Sequence, residues 1–401
     1  MPFVRADPAE AGFSPERLLR IAEFLAAEIE RDRMPGAVVG IVRGGRLVYL
    51  EALGYRDKAS GIRMTADSLF WIASMTKPLT AATALTLVER GSLVLDAEIG
   101  EYLPQFADRR VADLSRSAGK TVVVTRPPER QPTVLDLLRH TAGIPEGLLG
   151  DSPVHALYAD AVGSGMTDFT GDEFAGRLSK LPLLHEPGAM WHYGWGLDLT
   201  GLIIESITGA SLAAYMREQL TDPLGMTDTT FGLPTGRRER YAAPLPADPF
   251  TREPQELPDL SIARFHSGGA GLVSTATDYL SFVQLLLDKG TRDGRHLLGR
   301  KSVEYMLTDQ LPPGADVSRL EKPGWNPDHG FGLAVAVRRR LGGLAGLGSV
   351  GEVTWAGAAG TYWWADPRED LGVVFMAHTP SRIQQRYHQI VRALVLQALV
   401  G

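Results

Sequence analysis

The residues with the clearest chemical content are Ser74 and Lys77, in the tetrad Ser74-Met75-Thr76-Lys77. A serine hydroxyl is a poor nucleophile near neutral pH and needs a base beside it. Positions i and i+3 of a helix share one face, so this spacing lets the hydroxyl and the amine point at the same place. The lysine can act as a base only where burial or neighbouring cations lower its pKa and leave it neutral. A serine at a helix N-terminus has a second advantage, because the orphan backbone N–H groups there can hold an oxyanion. On its own the tetrad also fits a serine cap followed by a solvated lysine, and a second copy stands at Ser117-Ala118-Gly119-Lys120. Context separates the two. The second lies in a polar, glycine-containing stretch without helical periodicity and reads as a surface loop. The first follows Leu69-Phe70-Trp71-Ile72-Ala73 and opens an apolar helix that would bury Lys77.

Other chemistries find less support. There is no G-x-S-x-G, so the strand–elbow–helix device of α/β-hydrolases is missing. No H-E-x-x-H pair and no Walker-type loop occurs. One G-x-G-x-x-G runs from Gly346 to Gly351, but a strand-like run follows it where a dinucleotide site needs a helix. The chain has no cysteine, which excludes disulfides, thiolate nucleophiles and Cys-ligated metal centres. His140 and His192 read as structural histidines.

The pattern of the chain supplies a frame for the tetrad. Ser14 and Pro15 open a first helix, with Leu18, Ile21, Leu25 and Ile29 at helical spacing. The runs Ala37 to Val42 and Arg46 to Leu53 flank Gly44-Gly45 and predict a hairpin. Helices are expected from Ser74 to about Arg90, then over 133–139, 171–181, 197–208, 211–219 and 275–288. Six prolines between residues 232 and 259 mark a long ordered loop or cap. Strands return at 331–337, 352–355, 361–364 and 371–377. The last is a continuous apolar run, as expected of a central strand covered on both faces. An amphipathic helix from Ser381 to Leu399 closes the chain. This order predicts an α/β (α+β) fold in which both termini, 1–73 and 266–401, build one unit around an antiparallel central sheet flanked by helices. Residues 74–265 form a mainly helical insert, with the active site at the boundary.

Composition agrees with a globular chain. Over 401 residues, 44% are hydrophobic and 22% charged, enough to bury a large core. A formal charge of −6 leaves no basic footprint for nucleic acid. No apolar run reaches the 18 or so residues of a spanning helix, so no membrane partner is expected. Residues 1–20 lack the basic start and apolar run of a signal peptide, and a cytoplasmic location is the expectation.

Several blocks in order then resemble the serine β-lactamase and penicillin-binding-protein superfamily, in its class C-like branch that contains the family VIII carboxylesterases. They include Phe70 to Lys77, Asp136-Leu137-Leu138-Arg139-His140-Thr141-Ala142-Gly143, and Pro187-Gly188 with Trp191-His192-Tyr193. Asp222-Pro223-Leu224-Gly225-Met226, Ser267-Gly268-Gly269-Ala270-Gly271-Leu272 and Trp355-Ala356-Gly357-Ala358-Ala359-Gly360-Thr361 follow. The resemblance implies that Ser74 is the acylated nucleophile, Lys77 its partner and Tyr193 the second-motif tyrosine that exchanges a proton with Ser74. It also implies an edge strand at the third motif beside the nucleophile, with the N–H groups of Ser74 and Ala358 forming an oxyanion hole.

The departures bear on the substrate. Class C β-lactamases carry Tyr-x-Asn and Lys-Thr-Gly, whereas this chain has Tyr193-Gly194-Trp195 and Trp355-Ala356-Gly357. An anionic substrate would forfeit a charge-assisted bond of about 1.5–3 kcal/mol. Trp195, Trp355 and Gly357 would instead line an apolar substrate site. The expected function is therefore a serine hydrolase cleaving carboxylic esters of small acyl groups, its partner a small-molecule ester. A β-lactamase, an amide hydrolase or an acyltransferase on the same scaffold remains open, as does a non-catalytic binding module. No metal or organic cofactor is called for. Oligomeric state is not readable from the residues.

Overall fold

The computed structural model describes residues 3–401 apart from 118–119, 164–167, 321–326, 344–345 and 381–382. The expected helix start at Ser381 and the middle of the second tetrad therefore lie outside the described residues.

An eight-stranded antiparallel sheet gathers both ends of the chain. From one edge its strands are His329–Phe331, Ala336–Arg338, Val353–Ala356, Tyr362–Asp366, Leu371–Met376, Gly36–Arg43, Arg46–Asp57 and Ile62–Arg63. The 371–376 strand is central and buried throughout, and pairs with 36–43 from Val38↔Met376 to Arg43↔Leu371. Alternation then sorts its side chains. Val39, Ile41, Val373 and Phe375 face the helices Pro15–Glu30 and Gln384–Leu396. Val38, Val42, Val374 and Met376 face the helix Ala276–Leu287. Covering both faces is what permits an unbroken apolar strand. Each such side chain, fully buried, stabilises by about 1.5–3 kcal/mol.

Residues 76–306 carry most of the helices. The helices Thr76–Glu89 and Val134–Leu138 both pack against Gly196–Thr208. A small sheet of Phe70–Trp71, Leu272–Ser274 and Thr230–Phe231 links this part to the segment before Ser74. The proline-rich stretch is ordered and laid against it. Leu69 N donates to Arg240 O at 2.7 Å and Ala242 N to Leu69 O at 2.9 Å.

Four expectations need correction. The run 331–337 is not one strand but two, because Gly332 and Ala334 turn the chain. Ala334 has φ +61°, and a Cβ at Gly332 would meet the Met306 carbonyl. Ser117 ends a strand of an antiparallel hairpin, 111–117 with 120–126, rather than lying in a loop. The β-branched run Val122-Val123-Val124 carries that pairing. The helix expected over 211–219 is α-helical only from Leu212 to Met216 and continues as a π turn to Thr221. The third-motif strand is not an edge strand. It lies between two others, although only Val353 and Thr354 pair with 336–337, leaving Trp355 and Ala356 paired on one side alone.

That strand is anchored at its base by a buried charge cluster. Arg338 Nη1 donates to Glu352 Oε1 at 3.0 Å, and Arg392 of the last helix holds the other carboxylate oxygen. All three side chains are buried. Removing the shared anion would leave two cations without compensation. Glu352→Ala should therefore lower the unfolding free energy by about 3–5 kcal/mol in chemical denaturation. A loss under about 1 kcal/mol would show that the arginines find water instead.

Candidate active site

Ser74 sits in a 3₁₀ turn, Ala73–Met75, which feeds directly into the Thr76–Glu89 helix. Ala73 holds φ +45°, a left-handed conformation costing a non-glycine residue about 1–2 kcal/mol. Neighbouring bonds over-determine the turn. Ile72 N donates to Leu272 O at 3.0 Å, Leu272 N to Thr76 Oγ1 at 3.1 Å, and Tyr279 OH to Met75 O at 2.9 Å.

Three groups converge on this turn. Tyr193 OH lies 2.7 Å from Ser74 Oγ, and Lys77 Nζ lies 3.3 Å from the same oxygen. The ammonium also stands 4.5 Å from the Tyr193 ring centroid. Lys77 is only 4% exposed and Tyr193 7%, while Ser74 is half-buried. Burial pushes the Tyr193 phenol above its usual range, and the charge of Lys77 and the bonds to Lys77 and Ser74 pull it back.

The Ser267–Leu272 segment explains how Lys77 is held. Lys77 Nζ donates to Gly269 O at 2.8 Å, and Thr80 Oγ1 to Gly268 O at 2.8 Å. On the other side, Asp198 accepts from Ser267 Oγ and from Gly269 N, the latter at 3.2 Å. Burial raises the Asp198 carboxyl, opposed by Lys77 and these donors. A Cβ at Gly268 would lie 2.3 Å from Leu197 O, and one at Gly269 2.3 Å from Asp198 Oδ2. Only glycines let this backbone pass so close to the Gly196–Thr208 helix.

Tyr193 is braced from behind by histidines. His192 Nδ1 is 3.0 Å from Tyr193 O, and His155 Nε2 is 3.0 Å from His192 Nε2. Ser152 Oγ lies 2.7 Å from His155 Nδ1. A carbonyl can only accept, so His192 Nδ1 must carry the proton. His192 Nε2 then accepts from His155 Nε2–H, and His155 Nδ1 accepts from Ser152. The hydrogen bonds thus run one way, Ser152 to His155 to His192 to Tyr193 O. His140 lies 4.5 Å from the Tyr193 ring, and Trp355 is stacked on it at 5.7 Å.

The remaining expected residues fall as follows. Trp355 packs beside Tyr193, with Phe331 edge-on to it at 5.2 Å. Gly357 lies against the nucleophile turn, where a Cβ would meet Ile72 O at 2.4 Å. Ala358 is exposed at the next position. Neither its N–H nor that of Ser74 donates to a backbone acceptor among the described residues. Trp195 is buried and packs edge-on against Phe174 at 5.2 Å. Phe174 in turn stacks on Phe265. Phe265 lines a recess of about 230 Å³ with Phe231, Leu233, Leu260 and His266. Asp198, Glu146, Ser152 and His155 carried no recognisable sequence signal, because each acts through a contact remote in sequence, whereas His192, read as structural, is the residue that links this hydrogen-bond chain to Tyr193. Among the described residues no group of three or more His, Asp or Glu side chains is placed to hold a metal, and no single helix is long and apolar enough to cross a membrane.

Comparison with known proteins places this geometry. A family model described as Beta-lactamase matches residues 21–397, and the chain belongs to that family. Protein Rv1367c of Mycobacterium tuberculosis is 36% identical over 356 residues, 86% of each chain. Esterase EstB of Burkholderia gladioli is 31% identical over 371 residues, 88% of each chain. Among solved structures, EstCE1, a hydrolase with promiscuous acyltransferase activity, aligns with a TM-score of 0.78 at 25% identity, covering 94% of this chain and 98% of its own.

The histidine chain has a consequence for stability. Burial lowers His192 to about 3, and His155 is lowered for the same reason. The unfolded chain binds those protons near pH 6.5, so their contribution is intact above that pH and is lost as pH falls toward the folded values. Each such histidine costs about 1.4 kcal/mol per pH unit in that window. Buried carboxyls with raised values act in the opposite direction, so the comparison is made between proteins that share them. His192→Asn should lose about 2 kcal/mol less stability than the parent between pH 7.5 and pH 5 in denaturant titrations. Equal losses would mean that His192 is protonated in the folded protein.

Proposed function

We propose that this chain is a serine carboxylesterase that cleaves esters of small acyl groups through an acyl-enzyme on Ser74. The observation that carries the reading is the placement of one hydroxyl within 2.7 Å of a phenol and 3.3 Å of a buried amine. In the first step Ser74 Oγ bonds to the ester carbonyl carbon as its proton passes to the Lys77–Tyr193 pair, in the form that carries one proton fewer than ammonium and phenol together. The tetrahedral oxyanion rests on the N–H groups of Ser74 and Ala358. The bond to the alcohol oxygen breaks, and that oxygen takes a proton from Tyr193. Water, deprotonated by the same pair, then attacks the acyl carbon and restores Ser74. Every group in this cycle belongs to the chain itself.

Trp355 and Phe331 support an ester over a β-lactam. They set apolar rings beside Tyr193 where a cation would be needed to hold an anionic substrate. The same apolar wall supports acyl transfer as a second activity, because it favours an organic alcohol over water at the acyl-enzyme. EstCE1, similar along nearly its whole length, is described as having such promiscuity.

A short-chain p-nitrophenyl ester and a chromogenic cephalosporin test the reading in parallel. The ester should be turned over with kcat/KM at least about 100-fold above the lactam, a difference of about 2.7 kcal/mol. Ser74→Ala should lower ester turnover by at least about 1000-fold and abolish labelling by a fluorophosphonate. Tyr193→Phe should cost about 100- to 10,000-fold. Normal turnover by Ser74→Ala would overturn the assignment, and an unlabelled parent serine would point to a non-catalytic module.

A further inference from the structure

Glu146 lies beside Tyr193, half-buried, and among the described residues no hydrogen bond or ion pair reaches its carboxylate. Residues 144–146 run antiparallel to 193–195. Trp195 N donates to Ile144 O at 3.2 Å, Pro145 bridges Gly194, and Glu146 N donates to Tyr193 O at 3.4 Å. This backbone ladder sets Glu146 alongside the tyrosine. Pro145 and Gly147 on either side are buried, Glu146 is half-buried, and Leu148 is 65% exposed, so the chain surfaces here.

Among the described residues no donor bonds the Glu146 carboxylate and no cation pairs with it at contact distance. Other carboxylates in the molecule are treated differently. Asp136 is held by Arg130 and Arg139, Asp228 by Arg237 and Arg240, and Glu352 by Arg338 and Arg392. The charges that Glu146 senses are those of the site, Lys77 attracting and Asp198 repelling, and it acts in turn on Tyr193. Asp198 is already satisfied by Ser267, Gly269 and the nearby ammonium. Asp198 stands against Lys77, which leaves Glu146 beside the site as the carboxyl without a bonded donor among the described residues.

A half-buried carboxylate without donors is costly to keep unless something that enters the cleft meets it. We propose that Glu146 sorts substrates by charge, favouring esters that carry a cationic group and rejecting those that carry an anionic one. The inference rests on the esterase reading and names the substrate class for that same site. It also places the exclusion of anionic substrates in two features, the missing cation at Trp355 and the added anion at Glu146.

The test uses matched esters at pH 8. One series varies the acyl group among 4-(trimethylammonio)butanoate, its neutral isostere 5,5-dimethylhexanoate and hydrogen glutarate, all as p-nitrophenyl esters. A second varies the alcohol, comparing acetylcholine with 3,3-dimethylbutyl acetate. The parent should prefer the cation over its isostere in at least one series. In Glu146→Gln the cation-to-neutral ratio of kcat/KM should fall at least about tenfold in that series, and Glu146→Lys should invert the order. Ratios unchanged in both series, with neutral esters still cleaved in a Ser74-dependent way, would overturn the inference alone. Absence of any Ser74-dependent cleavage of the neutral esters would instead overturn the esterase reading.

Discussion

A single buried amine constrains the rest of the site. Lys77 is almost wholly removed from water, and an ammonium there is tolerable only if its donors are met. Gly269 O takes one, Ser74 Oγ another, and the Tyr193 ring presents its face. Each partner demands its own support. Gly269 is fixed by Asp198 of the 196–208 helix, and Gly268 before it passes against Leu197 O of the same helix. Ser74 is fixed by a strained turn. Tyr193 is fixed by a chain of hydrogen bonds from Ser152. Three segments distant in sequence, near 74, 193 and 269, are thereby tied to one nitrogen.

How much of this is legible in the residues depends on whether the signal is local. The central strand 371–376 is plain, since a short continuous apolar run bounded by turn residues fits a strand covered on both faces. The Ser14 cap, the Gly44-Gly45 hairpin and the helix Ala276–Leu287 are local too, and the expected bounds agree to within a few residues. The break in 331–337 is invisible because the turn at Gly332 is dictated by contact with Met306 O, which no periodicity records. The 111–126 hairpin is masked by the polar residues around Ser117, although Val122-Val123-Val124 carries strand propensity. Ser74 and Lys77 can be paired by spacing alone. Tyr193 cannot: it stands over a hundred residues away, and only the resemblance of the flanking blocks singles it out. Asp198 and Glu146 are ordinary acidic residues until the backbone brings them to the amine.

The histidines show how polar groups can be buried at low cost. His155 and His192 have depressed values, so they enter the folded core neutral and avoid the penalty of a buried charge. Neutral imidazole is donor and acceptor at once, which suits a one-way chain between a hydroxyl and a carbonyl. His378 is used in the same way elsewhere, its Nδ1 donating to Ala242 O at 2.7 Å and its Nε2 accepting from Trp71 N at 3.1 Å. That residue fastens the proline-rich stretch to the strand leading into Ser74. Neutral histidine thus serves twice as a rigid bracket for the backbone around the nucleophile.

The substitution of tryptophan at the third motif changes the proton balance in the proposed cycle. A lysine there would add a second cation near Tyr193 and favour its phenolate. With Trp355 stacked on the phenol, that second cation is missing: burial raises the phenol and the charge of Lys77 pulls it back. Ser74 Oγ has both groups at bonding distance, so in that cycle the proton it gives up on attack stays within the Lys77–Tyr193 pair and is returned from there to the departing alcohol oxygen.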